Sequence, residues 1–303
     1  SVEEVAANVP AVRPITLGAP KLLLGRFPDN QVVLNHPQVS GHHARLELSQ
    51  GDTYRLVDLH STNHTFVNGL RIKKQVLQAG DQIRIGPFAL MFTGQELIQE
   101  AESEGIRIDA LHLKHYGKWH SLLLHDISLP IPPRKFVALV GGSGVGKTTL
   151  LNALSGLYPA NKGTVLYNGQ DYYSHLDDLS TQIGYVPQDD IIHGRLRVAD
   201  ALYYTAKLRL PDDFTRAQIK ERVNEVLADV GLTYRRRHLV KSLSGGERKR
   251  VSIALELLAN PRVFFLDEPS AGVDPGLDRR MMLLLRKLAD EGHTIVLVTH
   301  ATE

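Results

Sequence analysis

The sequence contains no cysteine. That excludes disulfides, thiolate metal sites and cysteine nucleophiles, and it fits a reducing compartment. No apolar run approaches the ~18 residues that a membrane-spanning helix needs. The longest apolar stretches, around residues 263–266 and 295–298, have the length of buried strands. No secretory signal opens the chain, because residues 1–8 are acidic and lack an apolar core. Excess charge is scarce as well. A formal net charge of +2 is too small to argue for nucleic acid or for an anionic membrane surface. The basic clusters at 235–238 and 248–250 are read as solvated faces.

What remains is ordinary globular composition, 43% apolar and 22% charged, in a chain of 303 residues. At ~150 residues per domain that length accommodates two domains. Two textures are visible. From about Leu22 to Phe92 short apolar stretches are punctuated by Gly, Asn, Asp and Pro. Residues 44–48 and 54–59 alternate around a turn at 50–52, which predicts a β-hairpin, and the period-2 pattern continues through Ile83, Ile85, Phe88, Leu90 and Phe92. This half reads as an all-β sandwich. Residues 95–104 are polar and acidic and suit a short helical or flexible linker. Beyond them strand-like runs alternate with helical ones, the pattern of an α/β layer fold with a largely parallel sheet. The resulting division is a tail at 1–13, a β domain at 14–94, a linker at 95–107 and an α/β domain at 108–303. The chain opens at Ser1 and stops at Glu303 directly after a strand-like run, so it reads as a piece of a longer protein.

Gly141-Gly142-Ser143-Gly144-Val145-Gly146-Lys147-Thr148 follows an apolar strand at 136–140 and opens a helical run from Thr149. The pattern G-x-x-x-x-G-K-[ST] in that context is a phosphate-binding loop. Closely spaced glycines let successive backbone N–H groups turn toward phosphates, and the helix N-terminus adds partial positive charge. Lys147 supplies a mobile point charge, and the Thr148 hydroxyl suits Mg²⁺. Chance produces such a match in about one chain in a hundred of this length. Further on, apolar residues 263–266 lead into Asp267-Glu268. Asp267 can hold Mg²⁺ through its water shell, and Glu268 can polarise an attacking water as general base.

Leu243-Ser244-Gly245-Gly246-Glu247 then resembles the LSGGQ signature of ATP-binding-cassette (ABC) proteins, with Glu in the last place. Gln188, in Val186-Pro187-Gln188-Asp189-Asp190, resembles the Q-loop; residues 270–274 resemble the D-loop, and His300 the switch histidine. The order is the family's, from Ile108 to His300. The resemblance implies an ATP site formed by residues 142–149, namely Gly142, Ser143, Gly144, Val145, Gly146, Lys147, Thr148 and Thr149. It implies Mg²⁺ at Thr148, Gln188 and Asp267, and catalysis by Glu268, Gln188 and His300. A second cassette docked head-to-tail would contribute Ser244, Gly245 and Gly246. For the adenine-stacking aromatic, Trp119 and Tyr116 are rival candidates. The run 244–254 and Val186-Pro187-Gln188-Asp189-Asp190 resemble the G subfamily, in which a permease usually follows on the same chain.

In the first half, Leu24-Gly25-Arg26, Ser40-Gly41-His42-His43 and residues 61–69 resemble a forkhead-associated (FHA) domain. Such domains bind phosphothreonine on loops at one end of a β-sandwich. The implied contacts are Arg26, Ser40, Thr62 and Asn63, with His43 and Asn68 bracing the loops. Two positions depart from the family. Gly41 stands where Arg or Asn would donate, and His64 stands where Gly is usual.

The fold expected is therefore multidomain: an FHA sandwich, then an ABC ATPase with a RecA-like core, an antiparallel β subdomain and a helical subdomain. The expected function is the ATP-hydrolysing part of a transporter at the cytoplasmic face of the cell membrane. Its expected cofactors are ATP and Mg²⁺. Its expected partners are a second cassette, a permease and a phosphothreonine peptide or Ser/Thr kinase substrate, with no nucleic acid. The alternatives are a soluble cassette ATPase without transport, and a phosphopeptide adaptor with an inactive cassette.

Overall fold

The computed structural model describes residues 14–49, 53–99, 105–117, 121–269 and 275–299. Side chains are described from Arg279 onward within the helix that begins at Pro275.

The N-terminal half is a sandwich of two sheets. One sheet runs β1 (Pro14–Thr16), β11 (Glu96–Gln99), β10 (Phe88–Phe92), β9 (Gln82–Ile85), β6 (Thr65–Val67), β7 (Leu70–Ile72). The other runs β3 (Val32–Val33), β2 (Lys21–Gly25), β4 (Ala44–Leu48), β5 (Tyr54–Asp58), β8 (Lys74–Val76). Alternation buries every second residue. In β4, Ala44 and Leu46 point inward, and in β10, Phe88, Leu90 and Phe92 do. The inward residues of both sheets form one core with Leu24, Leu56, Ile83 and Ile85. The expected hairpin is present, with Ala44 opposite Asp58 and Leu48 opposite Tyr54. A second hairpin turns at Asn68-Gly69, both at positive φ (51° and 78°), the conformation that a two-residue hairpin loop requires.

The expected linker is different in part. Residues 96–99 are not helical or flexible. Leu97 is fully buried, and β11 zips β10 to β1, pairing Ile98 with Met91 on one side and Pro14 on the other. A single well-placed Leu with a ladder partner on each side, Ile15 and Phe92, outweighs the polar look of the segment, because in an antiparallel sheet the outward face is free to be polar. The same pairing brings residues 14–16 into the sandwich as a strand, where the expected β domain begins.

Among its described residues the C-terminal half has two sheets. An antiparallel one runs β13 (Leu122–Ile131), β12 (Ile108–Tyr116), β15 (Lys162–Tyr167), β16 (Gln170–Asp171). A parallel one runs β14 (Phe136–Val140), β19 (Thr294–Thr299), β18 (Val263–Asp267), β17 (Ile183–Val186). The parallel strands are apolar on both faces. From β18, Val263 and Phe265 enter one core with Leu151 and Leu154 of helix α1 (Lys147–Ser155). Phe264 and Leu266 enter another with the remaining long helices. Burial on both faces of the central strands β18 and β19 explains why they read as unbroken apolar runs.

A short helix α2 (Leu176–Leu179) precedes β17. The helical layer comprises α3 (Val198–Arg209), α4 (Arg216–Asp229), α5 (Gly245–Leu257) and α6 (Pro275–Asp290). Two of these helices open on full capping boxes. In α4, Thr215 caps Gln218, and in α5, Ser244 caps Glu247.

Candidate functional site

Strand β14 delivers the chain to the glycine-rich loop, and α1 leaves it at Gly146, which sits at φ 91°. A Cβ there would lie 2.9 Å from the Leu123 carbonyl oxygen, so glycine is needed for the close approach of β13 as well as for the backbone conformation. Lys147 lies back over the loop, its Nζ donating to the carbonyl oxygens of Gly141 and Gly142, both at 2.8 Å. The loop thus cradles its own lysine at the position from which it can reach phosphate oxygens.

A cavity of about 550 Å³ is lined by residues 143–149, by Gln188 and Glu268, and by Leu122, Leu123 and His125 of β13. Two hydrogen bonds organise its floor. Thr148 Oγ1 donates to Asp267 Oδ1 at 3.1 Å, and Gln188 Nε2 donates to Glu268 Oε2 at 3.1 Å. Residues separated by about a hundred positions in sequence are thereby joined at one site. Burial pushes the Asp267 carboxyl up from its ordinary value; the Thr148 hydrogen bond opposes this, and the adjacent Glu268 charge reinforces it. A divalent cation beside Thr148 Oγ1 and Asp267 would relieve that strain, and an all-oxygen donor set suits Mg²⁺. Glu268 itself has φ 45°, a left-handed conformation that costs about 1–2 kcal/mol for a residue with a Cβ.

The signature residues lie elsewhere. Ser244 and Gly245 are exposed at the N-terminus of α5 and do not line the cavity. Glu247 is buried. Its carboxylate accepts from Ser244 N at 2.9 Å, from Arg235 Nε at 2.8 Å and from the Tyr234 hydroxyl at 3.0 Å. Burial opposes ionisation, but these donors prevail and lower the carboxyl to about 2.

Arg235 and Lys249, both read as solvated faces, are therefore structural. Arg235 pairs with Glu247. Lys249 is buried, donating to the carbonyl oxygens of Pro187 and Gln188 and pairing with Asp190 at 3.2 Å. Charge patterning missed them because their partners are distant in sequence. Among the adenine candidates, Tyr116 does not line the cavity. Trp119, residues 270–274 and His300 lie outside the described residues. Leu122, Leu123 and His125 had no signal in any motif.

At the sandwich, Gly25 lets β2 approach the next loop, since a Cβ there would sit 2.2 Å from the Gly41 carbonyl oxygen. Gly41 is equally constrained, because a Cβ would meet the Phe27 ring at 2.2 Å. The departure at 41 thus makes room for an aromatic. Arg26 is anchored by Nε donating to Val39 O at 3.1 Å. Ser40 Oγ accepts from Thr62 N at 3.3 Å, and Asn63 Nδ2 donates to Gln38 O at 2.7 Å, so these two tie the loops together. His43 is buried between them. Its Nδ1 accepts from Ser40 N at 3.2 Å, and its Nε2 lies 3.0 Å from His64 O. Burial lowers its pKa. His64 adopts φ 62°, so the backbone geometry usual for Gly is kept with a side chain present. Asn68 braces a different place, the turn at Asp81 and Gln82. Asn30 and Asp58 were not anticipated. Asn30 Nδ2 holds the Gly41 carbonyl at 2.7 Å, and Asp58 accepts from Ser61 and Thr65.

Comparison with known proteins resolves the two halves separately. The ABC transporter family model matches residues 124–271, and the FHA domain model matches 22–86. The chain joins an FHA domain to an ABC transporter ATPase domain. Both occur in order in a relative from Mycobacterium tuberculosis, the ABC transporter ATP-binding/permease protein Rv1747. It is 40% identical over 283 residues, covering 92% of this chain and 32% of that protein. ABC transporter G family member 14 of Arabidopsis thaliana is 36% identical over 74% of this chain and 34% of its own length. Among solved structures, cbiO1 from Clostridium perfringens, part of the cbiONQ transporter complex, matches with TM-score 0.59 and 29% identity. That match covers 64% of this chain and 78% of the other. The chain spans about a third of the transporter relatives it matches. No helix among the described residues is long and apolar enough to cross a membrane.

Proposed function

We propose that this chain is the ATP-hydrolysing portion of a transporter whose membrane-spanning permease lies in a further segment or subunit, and that its FHA domain recognises phosphothreonine. The observation that carries the first part is the joining of Thr148 to Asp267 and of Gln188 to Glu268 around one cavity on the glycine-rich loop. Residues 142–149 would hold the phosphates. Thr148, Asp267 and Gln188 would hold Mg²⁺, which supplies charge neutralisation on the phosphate oxygens. Glu268 would take the proton from the attacking water, and His300 would bond the γ-phosphate.

Ser244 and Gly245, which are exposed, and Gly246, which is buried, do not line this cavity. The reading that gives them a use is a head-to-tail pair of cassettes, each offering the α5 N-terminus to its partner's nucleotide. The transport role rests on the relatives' names and on the match in both halves. The contacts that bring Thr148 to Asp267 and Gln188 to Glu268 beside Lys147 support this reading over an inactive cassette.

The test is trapping. Light scattering on Glu268→Gln protein with Mg·ATP is expected to show a dimer that Lys147→Ala protein does not form, and phosphate release should be lost in both. Steady phosphate release from Glu268→Gln at the native rate would overturn the assignment of the base.

For the FHA end, Arg26, Ser40, Thr62 and Asn63 converge on adjoining loops. Arg26 would supply the charge-assisted bond to phosphate. Binding of phosphothreonine peptides that is lost in Arg26→Ala would support the reading; binding insensitive to Arg26→Ala would sink it.

A further inference from the structure

The phosphate-recognition end of the FHA domain is in contact with the cassette. The loop between α3 and α4, Pro211-Asp212-Asp213-Phe214-Thr215, reaches it. Asp213 Oδ1 accepts from Arg26 Nη2 at 2.8 Å, and Asp213 Oδ2 accepts from the backbone N–H of Gly41. Asp212 N donates to Thr62 Oγ1 at 3.3 Å. The Phe214 ring lies beneath the guanidinium, 3.9 Å from its centroid, so Arg26 is held between a carboxylate and an aromatic face. Two of the four residues read as phosphopeptide contacts, Arg26 and Thr62, are thus engaged by an acidic loop of the same chain, and Ser40 and Asn63 brace the platform beneath it.

The FHA domain holds the cassette at a second place. Arg84 pairs with the buried Asp178 of α2 at 3.1 Å and donates to Gln170 Oε1 at 2.7 Å. Gln170 in turn donates to Gln82 Oε1 at 3.0 Å, and Gln38 donates to the Thr181 carbonyl. The first contact falls on the helical layer and the second on the layer built around the antiparallel sheet. These belong to different cores. The domain therefore straddles the cassette.

We infer that Asp213 is the resident ligand of the FHA phosphate site, and that a phosphothreonine peptide competes with it and, on binding, releases the α3–α4 loop while the Arg84 contact holds. The inference rests on the phosphothreonine reading above. A carboxylate brings one negative charge where a phosphothreonine brings ~−1.5 to −2 and three strong acceptor oxygens, so the incoming group has the stronger claim on Arg26 and the Gly41 N–H. Gly41 fits this use. It supplies a donor from the backbone to whichever acid is present, with no side chain in the way. Because α3 and α4 pack on one another and on α5, the displaced loop belongs to the layer that carries Ser244, Gly245 and Gly246. Phosphorylation elsewhere is thereby linked to the half of the ATP site that a partner cassette would use.

The experiment is fluorescence anisotropy with a fluorescein-labelled phosphothreonine peptide library, random at flanking positions, and its unphosphorylated counterpart. It would be run on the whole chain and on Asp213→Ala, Asp213→Asn and Arg26→Ala. If the loop holds the site 90–99% of the time, removing it tightens apparent binding about 10–100-fold. Asp213→Ala is thus expected to bind at least about 10-fold more tightly than the native chain, with Asp213→Asn between them and Arg26→Ala lost. Saturating phosphopeptide should also speed amide exchange at 211–216 in the native chain. Equal, Arg26-dependent affinity in the native chain and Asp213→Ala would overturn the resident-ligand inference and leave phosphothreonine recognition standing. No binding by any of the proteins would overturn the recognition itself, and the inference with it.

Discussion

Lys249 Nζ lies 3.0 Å from the carbonyl oxygen of Pro187 and 2.7 Å from that of Gln188, joining the signature helix α5 directly to the Q-loop main chain. Asp190 completes the arrangement, pairing with Lys249 and accepting from Ser252 Oγ at 2.8 Å. Gln188 bonds Glu268 through its side chain while its carbonyl is fixed by Lys249, so a displacement of α5 pulls on Gln188 and through it on Glu268, the base in the proposed mechanism.

Replacing Lys249 with Met keeps the buried stem and removes the donor. Expected are a fall in kcat of about 10-fold with little change in KM for ATP, and a stability loss of about 2–3 kcal/mol from the carbonyls and carboxylate left unpartnered. Phosphate-release kinetics and denaturant unfolding check the two separately.

Glu268 predicts an opposition between stability and activity. Glu268→Gly relieves the left-handed backbone and removes the charge that raises Asp267, and it is expected to stabilise the chain by about 0.5–1 kcal/mol while abolishing hydrolysis. Glu268→Gln keeps the strained backbone, so its thermal midpoint should lie below that of Glu268→Gly. A Glu268→Gly midpoint lower than the native one would refute the strain argument.

Glu247 makes the cap of α5 sensitive to acid. Its carboxyl lies below the ordinary value, so its contribution is complete above about pH 4.5 and is lost as the pH falls toward 2. Glu247→Gln can still close the capping box but gives up the charged bond to Arg235. It should cost about 1–2 kcal/mol at pH 7, less than Glu247→Ala, and the gap to the native chain should narrow below pH 4. Urea midpoints across pH would measure this.

His36 sets a dependence of the same sign, beginning at higher pH, at the FHA–cassette seam. Burial, assisted by Arg262 and Arg222, lowers its pKa to about 3, and Asn260 lies 3.3 Å from its Nε2. A histidine kept neutral on docking favours the docked state fully above pH 6.5. That advantage declines as the pH falls toward 3, by up to about 1.4 kcal/mol per pH unit. His36→Gln should flatten this part of the stability profile between pH 7 and 4.5, as followed by thermal unfolding.

The cassette was the most legible part, because its chemistry is written in contiguous motifs: Gly141 to Thr148 and Asp267-Glu268 are local patterns whose strand and helix contexts are local too. The parallel strands declared themselves by unbroken apolar runs, and the FHA sandwich by alternation and by the motifs at 24–26, 40–43 and 61–69. What escaped depended on tertiary pairing. Leu97 gave too small a signal to mark β11, and Lys249 and Arg235 looked like surface charge until Asp190 and Glu247 were seen beside them. Nothing around Asp213 marks it as a partner for Arg26, since the two are far apart in sequence and Asp213 reads as an ordinary exposed charge while Arg26 reads as a phosphate contact.

That pairing bears on how such fusions change over generations. A cassette lacking the sandwich has no need of an acid at the position of Asp213, and a sandwich grafted from another protein would meet an unmatched loop. Asp213 should therefore persist only where Arg26 does, so that exchanging one module between related proteins without the other would leave the two parts without the contact that now joins them.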